Sequence, residues 1–348
     1  MKQTVGRGLA VAAFSSWMGL AVAEDSYDPA TADAELMPKA DQAIITDITR
    51  AGNGAVAVGE RGHVFLIDAS GSWKQVQVPT RSMLTNVYAL DSYVWAVGHD
   101  EVILHSSDAG NHWVRQHVNT DAFGPLLDVL FVDPQRGFAI GTEGTLLASS
   151  DGGQTWETGL ITDRVKPGAE VPAPGATDAA DDEESLVASD DIGEDETPPH
   201  LNAIVRTSAG LLVVGESGAG YRSEDQGASW ERFELPYSGS MFGAVVLDDD
   251  SVIAFGLRGK AFQSTDLGRN WQELQSGTDA GLMGGAAVPG GRAVLVGGSG
   301  TVLTFQSGSP ALKPFQYADG GLLGGVLHLN DNQFLLGGEN GLARFKAE

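Results

Sequence analysis

From residue 44 onward the chain repeats one apolar pattern. A run of six to eight mostly apolar residues opens each unit: IITDIT (44–49), LTNVYAL (84–90), LLDVLFV (126–132), LNAIVRT (201–207), MFGAVVL (241–247), LMGGAAV (282–288) and LLGGVLHL (322–329). A shorter apolar run ending in a glycine turn follows, as in VAVGERG (56–62), FAIGTEG (138–144) and FLLGGENG (334–341). A third short run and a polar turn come next, then a fourth run such as WVRQHV or WERFEL. Short β-rich runs divided by glycine turns predict antiparallel hairpins rather than helices.

The polar turn carries its own repeat. SSDAGNHW (106–113), SSDGGQTW (149–156), SEDQGASW (223–230) and STDLGRNW (264–271) all read S-x-D-x-G-x-x-W, and DASGSW (68–73) is a degenerate copy. Trp73, Trp113 and Trp156 are spaced 40 and 43 residues apart, Trp230 and Trp271 41, and the 74-residue gap from Trp156 to Trp230 holds one repeat plus an insertion. Four strands in each of seven units predict an all-β, seven-bladed β-propeller of four-stranded antiparallel blades. The seventh unit lacks a fourth strand. ELMP (35–38) resembles the fourth-strand endings QVP (77–79) and ELP (234–236), so the expectation is that an N-terminal strand completes the last blade and closes the ring.

Charge and composition then bound the partners. The 348 residues carry a net charge of −25 and no cysteine, which excludes disulfides and a thiol-linked lipid anchor. Residues 163–199 hold twelve acids against Arg164 and Lys166, five prolines and no aromatic residue, and are expected to form a disordered acidic insertion between blades three and four. The acidity argues against nucleic acid as a partner. Lys2 and Arg7, the apolar stretch Leu9–Leu20 and Ala21-Val22-Ala23 read as a cleavable signal peptide over 1–23. A single propeller over 24–348, exported to the periplasm and not inserted in the membrane after cleavage, is the corresponding expectation.

The turn motif is self-contained chemistry. Its aspartate accepts backbone N–H groups inside a tight turn, its glycine permits positive φ, and its tryptophan covers the join between blades while its indole N–H finds a local acceptor. Asp108, Asp151, Asp225 and Asp266, with Trp113, Trp156, Trp230 and Trp271, therefore read as structural fasteners. The motif resembles the Asp box of the BNR-repeat propellers, which include sialidases. That resemblance implies a box between the third and fourth strands, on the face away from an active site. The R-I-P motif of sialidases is missing, and the six tyrosines share no common position. No motif calls for a metal or cofactor: His99, His105, His112 and His117 fall on different strands and turns, and DDEE (181–184) lacks calcium-loop spacing. No catalytic residue is assigned.

Over nearly the whole mature chain the sequence also resembles the photosystem II stability/assembly factor-like propellers, in its non-photosynthetic, proteobacterial branch. RGFAIGTEGTLLASSDGGQTW (136–156) carries the resemblance best. It implies a non-enzymatic, protein-binding factor that assists a membrane protein complex, an RND-type exporter being one such client. The alternative is a glycoside hydrolase or lyase of sialidase-like type. If the boxes occupy one face, the turns between second and third strands occupy the other. That second face collects Arg61, Arg81, His99, Glu143, Glu216, Arg258, Lys260 and Asn340 as candidate partner-binding residues.

Overall fold

A computed structural model describes residues 28–161, 197–330 and 332–347. The expected signal peptide lies outside these residues, as does all of the acidic insertion except its last three residues, 197–199. Seven antiparallel sheets form a ring, six of four strands and one of three, each ordered along the chain from the axis outward. The inner strands are Ile45–Ala51, Leu84–Leu90, Leu126–Phe131, Leu201–Thr207, Met241–Val246, Leu282–Val288 and Leu323–Asn330. Successive inner strands pack side by side, and the first meets the last.

The second strands explain the continuous apolar runs. Each lies between two neighbouring blades and is covered on both faces, so alternation gives way to unbroken burial: Val56–Val58, Val94–Val97 and Leu211–Val214 are all 0% exposed. The turn after each of the first six second strands is a three-residue 3-10 turn whose central residue is left-handed. Arg61, Asp100, Glu143, Ser217, Arg258 and Ser299 have φ between 51° and 59°. Five of these six turns end in glycine at positive φ. At Gly62 a side chain is also excluded by space, because a Cβ would lie 2.1 Å from the Thr80 carbonyl oxygen.

One feature of the ring differs from expectation. Blade seven keeps three strands, Leu323–Asn330, Gln333–Gly338 and Gly341–Lys346. Residues 35–38 run instead beside the outer strand of blade one, Trp73–Val76. The Gln75 amide is the reason. Its oxygen accepts from the Met37 N–H at 2.8 Å, and its nitrogen donates to the Glu35 carbonyl at 2.8 Å, so one side chain takes the place of a strand ladder. Ala30 and Ala34 are buried in the core shared by blades one and two. Among the described residues, closure comes from the inner strands. Gly324 and Gly325 let blade seven approach blade one so closely that a Cβ on Gly325 would lie 2.9 Å from the Asp47 Cα. The Arg50 guanidinium donates to the His328 carbonyl across the same joint.

Candidate functional site

Every inner strand slips register by one residue after its first position, a β-bulge repeated seven times. The bulged residues are Thr46, Thr85, Leu127, Asn202, Phe242, Met283 and Gly324. A bulge re-aims its side chain, and here all seven residues line a central cavity of about 520 Å³. Ile44, Met83 and Leu322, just before their inner strands, and Glu339, in the last second-to-third-strand turn, also line it. The cavity therefore opens on the face of those turns.

The bulged side chains belt the blades together where they can. The Thr46 hydroxyl lies 2.8 Å from the Leu84 carbonyl, the Thr85 hydroxyl 2.6 Å from the Leu126 carbonyl, and the Asn202 amide donates to the Met241 carbonyl at 2.9 Å. Each bond runs to the next blade. The following position in blades one to three is also polar: Asp47, Asn86 and Asp128. Asp47 accepts the Val87 N–H at 3.1 Å, and Asp128 accepts the Ile204 N–H at 2.8 Å and its neighbour Val129 at 2.7 Å. The Asn86 side-chain oxygen is buried without a donor among the described residues. In blades four to seven this position is alanine or glycine, so the polar wall occupies one side of the ring only.

Burial raises the Asp47 carboxyl to about 6 and the Asp128 carboxyl to about 8, against the pull of the backbone N–H groups that each accepts. The Asp47 charge adds to the rise at Asp128. Both side chains keep partial exposure because the cavity leaves one side open. Protein surrounds the rest, and desolvation prevails. Apolar side chains complete the lining, with Phe242 half-buried in blade five and Met283 and Leu322 of blades six and seven exposed by 37% and 43%, and Ile44 of blade one, exposed by 38%, beside the polar wall. Sequence reasoning passed over Asp47, Asn86 and Asp128. The available signal was a polar residue recurring at the third position of three successive inner strands.

Seven of the eight candidate face residues lie in or beside the second-to-third-strand turns and Arg81 lies in the crossover from blade one to blade two, but they divide by role. Arg61 and Arg258, both exposed, form no ion pair among the described residues. His99 and Asn340 are exposed and Glu143 half-buried. Arg81 is held by Glu35 at 2.8 Å, Lys260 by Glu273 at 2.6 Å, and Glu216 by His200 at 3.5 Å, so these three are partly spent on local structure. Gly144 donates to the Pro199 carbonyl at 3.0 Å, so the downstream end of the insertion returns to this same face.

The Asp boxes lie at the other end of the blades and are closed networks. In each, one carboxylate oxygen accepts the serine hydroxyl at 2.7–2.9 Å and a backbone N–H four residues on at 2.8–2.9 Å. The other oxygen takes the side chain of the residue before the tryptophan: His112, Thr155, Ser229 or Asn270, at 2.6–2.7 Å. The serine oxygen in turn accepts the box glycine N–H at 2.7–2.9 Å. The hydrogen bond from His112 holds Asp108 down at about 2, and that from Thr155 lowers Asp151. At Asp225 and Asp266 burial works upward, but the hydrogen bonds still hold both below the usual range. The expected indole acceptor exists at Trp113, which donates to the Gly110 carbonyl at 2.7 Å, but among the described residues Trp156, Trp230 and Trp271 have none. Those three rings pack against other rings instead. Trp156 meets Phe131 edge-on, Trp230 meets Phe138 edge-on and Trp271 stacks on Phe233.

Fold and site together define a seven-bladed Asp-box propeller with a half-polar, half-apolar central cavity. A family model described as photosynthesis system II assembly factor YCF48 matches residues 116–166. The photosystem II assembly lipoprotein Ycf48 of Synechococcus sp. (strain CC9902) is 26% identical over 175 residues, which cover 50% of this chain and 43% of that relative. The chain thus spans less than half the length of that relative. A solved structure of YCF48 bound to a D1 peptide superposes with a TM-score of 0.61 at 16% identity, over 93% of this chain and 96% of that one. Virginiamycin B lyase from Staphylococcus aureus has the same fold, with a TM-score of 0.68 at 12% identity over 90% of this chain and 97% of that one. Over part of its sequence the chain is thus similar to the photosystem II assembly factor-like propellers, and it shares their fold.

Proposed function

We propose that this protein is a non-enzymatic, exported binding propeller that assists the assembly of a membrane protein complex, with an RND-type exporter as the first client class to test. The carrying observation is the division of the molecule into two faces. The box face is spent on its own hydrogen bonds, whereas the turn face presents Arg61 and Arg258, which form no ion pair among the described residues, exposed His99 and Asn340 and an apolar rim around a cavity. Loops held by a rigid scaffold, beside a concave surface with a few polar groups, are where recognition concentrates. A solved YCF48 carries a bound D1 peptide, which supports a peptide-binding role for a propeller of this family. Among the described residues no arginine or tyrosine lines the cavity, so the arginine triad and tyrosine nucleophile of a sialidase have no counterpart among them. The experiment is affinity capture from detergent-solubilised envelope, comparing the wild type with Arg61→Glu/Arg258→Glu. The reading requires an integral membrane protein that is recovered by the wild type and lost with the double substitution. Turnover of a glycoside panel, with no such protein recovered, would replace it with the enzyme reading.

A further inference from the structure

Six of the seven joints between blades are plugged by the turn that follows a blade's third strand. In blades two to five the plug is the Asp box, whose glycine lies flat against the preceding blade. A Cβ on Gly110 would lie 2.8 Å from Leu66, and one on Gly227 would lie 2.2 Å from Phe138. Trp113, Trp156, Trp230 and Trp271 fill in behind. Blade one plugs its joint with blade seven through Trp73 and through Ser70, whose carbonyl accepts Arg344 at 3.0 Å. Blade six has no box, but Leu312 enters the core it shares with blade five, bonded to the Gln275 carbonyl at 2.8 Å.

The joint between blades six and seven has no such plug among the described residues. A groove of about 310 Å³ stands there, lined by Val288, Ala293, Phe305 and Phe315 on one side and by Phe334 and Ala347 on the other. Arg292 and Lys313 line it too, and neither pairs with a carboxylate among the described residues. Beside it, the outer edge of Gly341–Lys346 takes no backbone hydrogen bond from another described strand, although Asp41 and Gln42 cover it at Gly341, where a Cβ would lie 1.9 Å from the Asp41 carbonyl oxygen. In a chain of net charge −25, Arg292 and Lys313 bring two cations to the groove.

We propose that this groove and the free edge of Gly341–Lys346 form a docking site for an extended, acidic segment of a partner protein that carries a large aromatic residue. The segment pairs as the fourth strand of blade seven and seats its aromatic ring where the other joints hold an indole or a leucine. Strand addition supplies main-chain hydrogen bonds, and the pocket supplies selectivity. Charge complementarity selects an acidic segment, and it disfavours a second copy of this chain. Antiparallel pairing of two such edges would bring Arg344 and Lys346 against the same cations of the other copy. The site is separate from the cavity face, and its test stands whether or not the proposed client is found.

The probe is a synthetic peptide with the sequence of residues 223–235, which carries four acids, Trp230 and a blade's own outer strand. Hydrogen exchange on the full chain with this peptide is expected to protect the amides of Gly341–Lys346. Replacing the peptide's tryptophan with alanine should weaken binding at least tenfold. So should Arg292→Glu in the protein, a change at a half-buried side chain expected to leave the melting temperature in place, and Ala293→Trp, which fills the groove. Absence of protection at millimolar peptide, or equal affinity for the alanine peptide, overturns the proposal. Concentration-dependent protection of the same amides without peptide would assign the edge to a second copy and overturn it as well.

Discussion

Removing one buried hydroxyl tests the fastener account of the boxes. Ser223 is 1% exposed, accepts the Gly227 N–H at 2.7 Å and donates to Asp225 at 2.7 Å. Ser223→Ala deletes both bonds, leaves a part-buried N–H without an acceptor and takes one donor from a carboxylate. An unsatisfied buried donor costs about 1–3 kcal/mol, and the charged bond adds to the upper part of that range. For a chain of this size each kcal/mol lowers the melting temperature by roughly 2 °C, so a fall of about 2–6 °C is expected by calorimetry. Asp225→Ala should cost a similar amount, and the double substitution less than the sum, because the two residues serve one turn. Client affinity, corrected for the folded fraction, should not move. A melting temperature within error of the wild type, or lost binding at full stability, would refute the reasoning.

Three further outcomes follow from the cavity wall. Because burial raises Asp128 to about 8, the folded state favours its proton, and stability should fall as pH climbs from about 4 toward 8. Asp128→Asn should remove part of that fall, so the variant's melting temperature should gain on the wild type between pH 5 and 8, and a constant difference would contradict it. Gly284→Ala should cost about 2 kcal/mol or more in chemical denaturation, since its Cβ would lie 1.8 Å from the Gly324 carbonyl oxygen. Thr85→Val should cost about 1 kcal/mol by loss of its bond to the Leu126 carbonyl, whereas Leu127→Val, at the same position one blade on, breaks no hydrogen bond.

The ring was legible in the sequence because a propeller writes its period twice, in the apolar runs and in the boxes. The box glycine and tryptophan, and the left-handed turns at Arg61 or Glu143, carry strong local chemistry that survives without tertiary context. Three features were not legible. The position of residues 35–38 depends on the Gln75 side chain, and no pattern of apolar residues reveals a side chain replacing a strand partner. The bulges at Thr46 and its six equivalents vary from threonine to phenylalanine to glycine, because a bulge there is set by the closeness of seven strands at the axis. Asp47 and Asp128 looked like single polar breaks in separate runs, and only the ring brings them to one wall. The polar residue before each box tryptophan, from His112 to Asn270, was readable and was passed over because four different side chains perform one donor role.

The central claim, that the turn face and its cavity engage a membrane protein while the box face does not, has a direct test. A photo-crosslinking residue is placed at Met283, on the cavity rim, and in a second variant at Gln154, on a box. Both variants are irradiated in intact envelope, and the adducts are identified by mass spectrometry. The account predicts an adduct with an integral membrane protein from position 283 that is missing from position 154. Equal adducts from both positions, or adducts from position 154 alone, would contradict it.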